Sequence, residues 1–563
     1  MRIFKLVPLA CAAIMMGACA SENEGNGGNT NESSNEQYLA VNIMNVGTTP
    51  TRTAPSTYED GTPKESEIKR IRFYFYNADG SPYIMKNSPG TTTIGTKANW
   101  LEATTSKDGK DEPNHIEQIT KSILVIDGVT AAAPAKVVAI VNPETLTTTT
   151  LGSGSVELDK LRSTLEDTNF KNGQGASAAD FVMSNSVYAK DGNSVCETSI
   201  SGHVTNSSSD AEDHPVDIYV ERVVAKVRAS LNTTAFETGD ATRWGTGKYG
   251  INVGTYNSTN VYAVIDGWGV ADENGTAKLE KQIKPTWTDT DLGFTTWSTV
   301  DYKRSFWETS VAFTGTNKLV NHKFTDYTSN AINTTPSYLY TLPNTPTAAI
   351  TKKYDNNLTK FLVVAHLMYQ DGTTWKNAEI CHYKGIDYLG VDNLKTQIAT
   401  ECGYYVQSAT TPGTHTKITP ADITFAKSTS TSAKDYEVVP TLKDVTKTYY
   451  VKTGTTFTPK PAADINTELA KSPAQVRTKG KVYYFIPIKH LGSAGKLAEY
   501  GIVRNHLYDI TLDKIVGFGT PVYDSDEVID PTVPVDENTY LAARINVLQW
   551  RVVKQNVDLD YSK

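Results

Sequence analysis

Cysteine is scarce, with five in 563 residues, and that excludes a small scaffold held by disulfides. The 39 glycines fall far short of the one third a collagen needs. No basic block is present: Lys+Arg 54 against Asp+Glu 62 leaves a net charge of -8, so a sequence-independent nucleic-acid binder is excluded and no nucleic-acid partner is expected. Beyond the N-terminus no apolar run reaches the ~18 residues a membrane helix needs.

Chemistry-bearing motifs are equally thin. There is no C-x-x-C, H-E-x-x-H or G-x-S-x-G. Trp244-Gly-Thr-Gly-Lys-Tyr249 lacks phosphate-loop spacing and places Tyr where a magnesium-binding hydroxyl belongs. The turn Tyr76-Asn-Ala-Asp-Gly-Ser81 lacks the oxygen ladder of a calcium loop. Cys381 and His382 are neighbours, and neighbours on a strand point to opposite faces. His366 and His506 lie in apolar strand contexts and read as satisfied core histidines. No catalytic residue, metal ligand or cofactor is expected, and the chain does not read as an enzyme.

What is there is β-forming. Apolar residues make up 39% of the chain, enough for a sizeable core, and 30 Tyr against 15 Phe, with plentiful Thr, suit half-exposed pleated strands. Arg2 and Lys5 precede the apolar run Leu6 to Ala18, too short to span a bilayer and shaped like an export signal. Met16-Gly17-Ala18-Cys19 resembles a bacterial lipobox, which makes Cys19 the candidate lipid acceptor; Cys11 is the weaker choice, and an ordinary cleaved signal with an incidental Cys is the plainer one. Residues 20–37, rich in Gly, Asn, Ser and Glu, read as a tether. Cys196, Cys381 and Cys402, odd in number and far apart, read as isolated buried thiols.

Leu39 to Val46 alternates, with Leu39, Val41 and Ile43 on one face. A turn-rich stretch carrying the isolated Arg52 separates it from a second alternating run, Ile68 to Tyr76. Ala135 to Val141 reads as a central strand buried on both faces, and Leu158, Leu161 and Leu165 suggest a short helix. From Val216 to Ala229 the apolar parity slips near residue 221, which a bulge or a crossing between two sheets would produce. Further strands are expected at Val261 to Ile265, Phe361 to Tyr369, Lys481 to Ile488 and His506 to Ile515, with residues 316–357 and 403–470 read as long loops and insertions. An acidic, Pro-containing linker, Asp524 to Asn538, leads to an apolar tail in which Leu541, Ala543, Ile545 and Val547 alternate before the parity flips to Leu548, Trp550 and Val552. The organisation is all-β, most simply two sandwiches and a detached tail.

Taken in order, several segments resemble the fimbrillins, subunits of the type V pili of Bacteroidetes, with most likeness to the minor-fimbrium (Mfa-type) branch. They are the lipobox at Cys19, Thr51-Arg52-Thr53-Ala54, Lys136 to Asn142, Val220-Glu-Arg-Val-Val-Ala-Lys-Val227, Tyr484-Phe-Ile-Pro-Ile488, Tyr500-Gly-Ile-Val-Arg-Asn-His-Leu-Tyr508 and the tail Ile545 to Val552. The resemblance implies two transthyretin-like β-sandwich domains, divided as signal 1–19, propeptide 20–52, N-terminal domain 53–221, C-terminal domain 222–523 and tail 524–563. It implies a lipidated outer-membrane precursor, exported through the periplasm, whose first strand (Leu39, Val41, Ile43) is lost when a protease cuts between Arg52 and Thr53. A neighbour's tail, carrying Leu541 to Val552, would then fill the vacated groove, giving a head-to-tail homopolymer at the cell surface with anchor and tip proteins as accessory partners. Other readings are an anchor subunit, which would keep its lipid and lack the cut, a tip subunit, which would lack a free donor tail, a tail that simply completes its own C-terminal domain, or a surface glycan-binding lipoprotein using some of the eight Trp.

Overall fold

The structure is a computed structural model. Outside its description lie residues 1–35, 46–64, 66–67, 89–96, 105–118, 144–150, 153, 167–180, 187, 191–192, 285, 295–306, 312–318, 351–357, 409, 431–432, 435, 532–539, 549–552 and 555–563. The described chain is mostly β, built as several sheets.

The N-terminal strands are β1 (Glu36–Asn45), β2 (Arg70–Tyr76), β3 (Trp100–Thr104), β4 (Ile119–Asp127), β5 (Lys136–Val141), β6 (Met183–Asn185) and β7 (Val216–Arg222). They form one sheet in the order β3-β2-β5-β6-β7-β1-β4. Ile71, Phe73 and Phe75 of β2 point into one core with Leu39 and Val41 of β1, Leu124 and Ile126 of β4 and Ala103 of β3, so strands from both ends of the sheet share that core. Tyr74, Tyr76, Val138 and Ile140 serve a second core on the other side, together with Leu158 and Leu161 of the short helix α1 (Leu158–Ser163). β5 is thus buried on both faces, as its unbroken apolar run predicts.

The parity slip after Val216 is a crossing. β7 ends at Arg222, and β8 (Ala225–Leu231) begins three residues later in a different sheet, with Val223 and Val224 buried between them. Around β8 two sheets face each other. They are built from β9 (Tyr249–Tyr256), β10 (Thr259–Ala271), β11 (Ser337–Thr341), β12 (Lys360–Asp371), β13 (Lys481–Pro487), β14 (Leu507–Val516) and β15 (Tyr540–Leu548). One sheet runs β11-β8-β14-β15 and the other β9-β10-β12-β13. Their inner faces close one core, with Val227, Ala229, Ile510 and Leu512 on one side and Ala263, Val363, Ala365 and Tyr484 on the other.

Residues 403–470, expected as loop, fold. Together with residues 380–402 and Ala474–Gln475 they form two further small sheets and two helices, α2 (Val391–Glu401) and α3 (Ala462–Leu469). Leu394 and Ile398 of α2, Ile465 of α3, Phe425 and Tyr449 share one separate core with Cys381. Arg477 fastens this inserted module to the large sandwich. Almost fully buried, its guanidinium donates to the carbonyls of Ile380 (2.8 Å), Phe518 (3.0 Å) and Gly519 (2.8 Å). Replacing Arg477 with Met strips charge-assisted bonds from three carbonyls at once, and urea unfolding should show a loss of at least about 1.5–3 kcal/mol, partly restored in Arg477→Lys.

Candidate assembly interface

Two terminal strands bear on assembly. β1 lies inside its sheet. It runs antiparallel to β4, from Glu36 opposite Asp127 to Met44 opposite Ile119, and parallel to β7, from Val41 opposite Val216 to Asn45 opposite Val220. Leu39 and Val41 are fully buried, and Ile43 sits in register between Ile218 and Thr120. Among the described residues β1 is the only strand that pairs along β4, whose other ties are local: Asn87 Nδ2 donates to the Val125 carbonyl (2.7 Å) and Lys86 N to that of Asp127 (2.7 Å). On its outer face β4 exposes Ile123 and Val125.

β15 lies at the far side of the C-terminal sheet, antiparallel to β14. Leu541, Ala543, Ile545, Val547 and Leu548 stand opposite Ile515, Leu512, Ile510, Tyr508 and Leu507. The chain then reverses, and Val553 returns to pair with Val547. Trp550 and Val552 fall outside the described residues, as do Cys19, Arg52 and Thr53. The terminal strands therefore sit in separate sheets, and what joins those sheets is the crossing at Arg222 to Ala225.

That crossing is walled by buried charge. Arg222 Nε donates to the Glu65 carbonyl (2.6 Å) and NH1 to Asn505 Oδ1 (2.9 Å), while Lys226 Nζ meets the Glu65 carboxylate at 2.8 Å. Tyr340 Oη also donates to that carboxylate. Arg504 pairs with Glu308 at 2.8 Å and donates to the carbonyls of Leu279 (3.0 Å) and Lys278 (2.9 Å). Asn505 takes a left-handed φ of 56°, which puts its amide N on the Val224 carbonyl at 2.8 Å. The segment Val503 to Tyr508 is thus the clasp on the crossing, and its Tyr508 hydroxyl accepts from Val503 N at 2.8 Å. His506 is a fully buried core histidine facing the Arg504 carbonyl at 2.7 Å, whereas His366 is half-buried and paired with Asp266 at 2.8 Å.

Lys281 and Glu221 form a buried pair at 3.3 Å. Burial pushes the Glu221 carboxyl up to about 7, although Lys281 and Arg504 pull the other way. Burial, with the Glu197 carboxylate beside it, pushes Glu280 up to about 8 against the pull of Arg162 and Arg504. Sequence reasoning did not single these charges out, and the one signal was Glu221-Arg222 and Lys226 standing inside an apolar run. Cys196, Cys381 and Cys402 are free thiols, the first two buried. Among the described residues no group of His, Cys, Asp and Glu is placed to hold a metal, and no helix is long and apolar enough to cross a membrane.

Residues 476–556 match the family model described as major fimbrial subunit protein type IV, fimbrillin, C-terminal. The chain carries a fimbrillin C-terminal region. This region holds Arg477, β13, the clasp on the crossing, β14 and β15. Solved structures similar to the chain include a candidate cell adhesion protein from Parabacteroides distasonis (12% identity, TM-score 0.37, 92% of this chain and 98% of that one). Two from Porphyromonas gingivalis are a fimbrilin (11%, TM-score 0.34, 92% and 99%) and the tip fimbrial protein Mfa3 with C-terminal truncation (9%, TM-score 0.31, 92% and 100%). A comparison with curated proteins gave no match. Likeness to solved structures this low leaves the fimbrillin match as the finding that bears on function.

The Glu280 carboxyl, buried beside the crossing, gives the fold a pH dependence. Between roughly 4.5 and 8 the unfolded chain has lost this proton while the folded chain keeps it, so stability falls as pH rises through that window. Glu280→Gln removes the charge that burial opposes. Thermal melts should show the variant stabilised by about 1–3 kcal/mol at pH 8, with the gain shrinking toward pH 5.

Proposed function

We propose that the chain is a structural subunit of a cell-surface fimbrium that polymerises by donor-strand exchange after proteolysis. The precursor is lipidated at Cys19, a protease cuts between Arg52 and Thr53, and the released N-terminal piece takes β1 with it. The donor segment is the tail, with Leu541, Ala543, Ile545, Val547, Leu548, Trp550 and Val552 as the side chains offered to the groove. The observation that carries the reading is the place of β1. It precedes the proposed cut, yet it is an inner strand, with β4 on one side and β7 on the other. Its departure would open backbone along two strands and empty the sites of Leu39 and Val41, a state that invites strand addition.

The far side of the cut supports the same reading. Glu65, thirteen residues past Arg52 (65 − 52 = 13), is fixed at the crossing by Arg222 and Lys226, so cutting would free β1 without loosening the body. The tail is suited to exchange because, among the described residues, β15 pairs with β14 on one side and with only the two-residue strand Val553–Lys554 on the other. Its pairing within its own chain supports one other reading, a tip subunit without a free donor tail, in which this strand completes its own domain.

One experiment separates them. Purified precursor is treated with a low dose of a trypsin-like protease and followed by electron microscopy and unheated SDS gels, beside Arg52→Ala and a chain lacking residues 541–563. Filaments or a ladder should form only from the cut, full-length chain. A cut chain that stays monomeric overturns polymerisation, and a truncated chain that polymerises equally well overturns the role of the tail.

A further inference from the structure

A second candidate site lies away from both terminal strands, where the inserted module meets the mouth of the large sandwich. A surface pocket of about 530 Å³ opens there, within the ~300–1,000 Å³ of sites that take small ligands. Three tyrosines line it: Tyr256 at the tip of the β9–β10 hairpin, Tyr369 near the end of β12 and Tyr388 from the module. Asn257, Asn377 and Asn393 stand among them. Asn257 and Ser258 take left-handed φ values of 45° and 66°, which closes the hairpin in a tight turn beside the pocket.

The walls are braced before any ligand arrives. Tyr256 Oη donates to the Asp387 carbonyl at 3.1 Å, tying the hairpin tip to the module. Asn393 Nδ2 donates to the Leu389 carbonyl at 2.6 Å, and Glu379 accepts from Lys479 N at 2.7 Å. Tyr256, Tyr369 and Leu389 also pack against the sandwich core, which holds the rings from below.

The lining chemistry selects a class of ligand. Aromatic faces offer flat apolar surface, and amides both donate and accept, as a ring of hydroxyls requires. No Lys, Arg or His lines the pocket, and its one charged residue is Glu379, so an anion finds repulsion and no counter-charge. We propose that this pocket binds a neutral carbohydrate, one or two sugar residues of a glycan, with the apolar face of the ring against tyrosine and its hydroxyls on the asparagines. The site stands on its own geometry and does not depend on polymerisation.

The test uses the uncut full-length chain on an array of neutral, sialylated and sulfated oligosaccharides, followed by calorimetry with the best neutral ligand. Neutral glycans should be retained and their sialylated or sulfated counterparts should not. Tyr388→Ala and Asn377→Ala should each weaken binding roughly tenfold or more, while Tyr388→Phe, which keeps the ring, should stay within about threefold. Circular dichroism melts check that each variant folds, and Asn377→Ala at an exposed position keeps the test open should Tyr388→Ala fail to fold. Absence of neutral-glycan binding, a preference for anionic glycans, or full-strength binding by folded Asn377→Ala and Tyr388→Ala overturns the proposal. Since no cut is made, the outcome is independent of whether filaments form.

Discussion

The structure depends on one short piece of backbone serving two sheets. Between β7 and β8 only Val223 and Val224 intervene, and both are buried. A strand that leaves one sheet for another inverts which residues face a core, so Glu221, Arg222 and Lys226 are carried inside with it. Charges buried this way are costly unless every one is answered. Here they are answered from three distant parts of the chain: Glu65 from the N-terminal side, Lys281 beside the strand Ala277–Lys278, and Asn505 from the segment before β14. Apolar residues of equal size would pack at the crossing with less penalty, but they would not fix one angle and register between the sheets. The buried ions are best understood as specifying that arrangement.

On the proposed reading, the region that matches the fimbrillin C-terminal model has a second task besides supplying the tail. Arg504 and Asn505 lie inside it and close on the crossing, so the segment that ends in the proposed donor strand also braces the sheet that β1 would leave. β7 is held at its C-terminal end by Arg222, whereas β4 has β1 and a few local bonds. A groove with one rigid wall is preorganised for an incoming strand, and preorganisation lowers the ordering cost of binding.

The strands were legible where a face or a run announced them. Phe73 and Phe75 alternate with Tyr74, Val137 to Val141 is unbroken, and Tyr508, Ile510 and Leu512 repeat at period two. The slip at residue 221 was visible as well, although only the structure shows it to be a crossing and not a bulge. The inserted module was not legible. Most of its strands are three to five residues long, such as His415–Lys417 and Ile423–Lys427, with outward faces of Thr and Lys that read as loop. In α2 the apolar stripe is narrow, with Leu394 and Ile398 set among polar neighbours. The glycines near Trp244 have a structural reason that their spacing hid, since Gly245 and Gly247 take φ of 94° and 78° in the turn before β9. The tyrosine-lined pocket could not be read at all, because Tyr388 joins Tyr256 and Tyr369 only where the module docks on the sandwich.

In the proposed exchange the tail has two placements, on its own sheet or in a neighbour's vacated groove, and cutting decides whether the second exists. On its own sheet β15 enjoys the effective concentration of a tethered segment, on the order of millimolar, and against a neighbour present at about micromolar that is an advantage of about 4 kcal/mol. The backbone hydrogen bonds lost from β14 would be regained along β4 and β7, so they decide little. What differs is side-chain burial. Re-covering the sites of Leu39 and Val41 is worth about 3–6 kcal/mol at the usual value per buried aliphatic side chain. While β1 is present those sites are filled and the neighbour has nothing to offer. Once β1 is gone those sites stand open, and the exchange would favour the polymer to the extent that burial there exceeds what the tail gives up against β14.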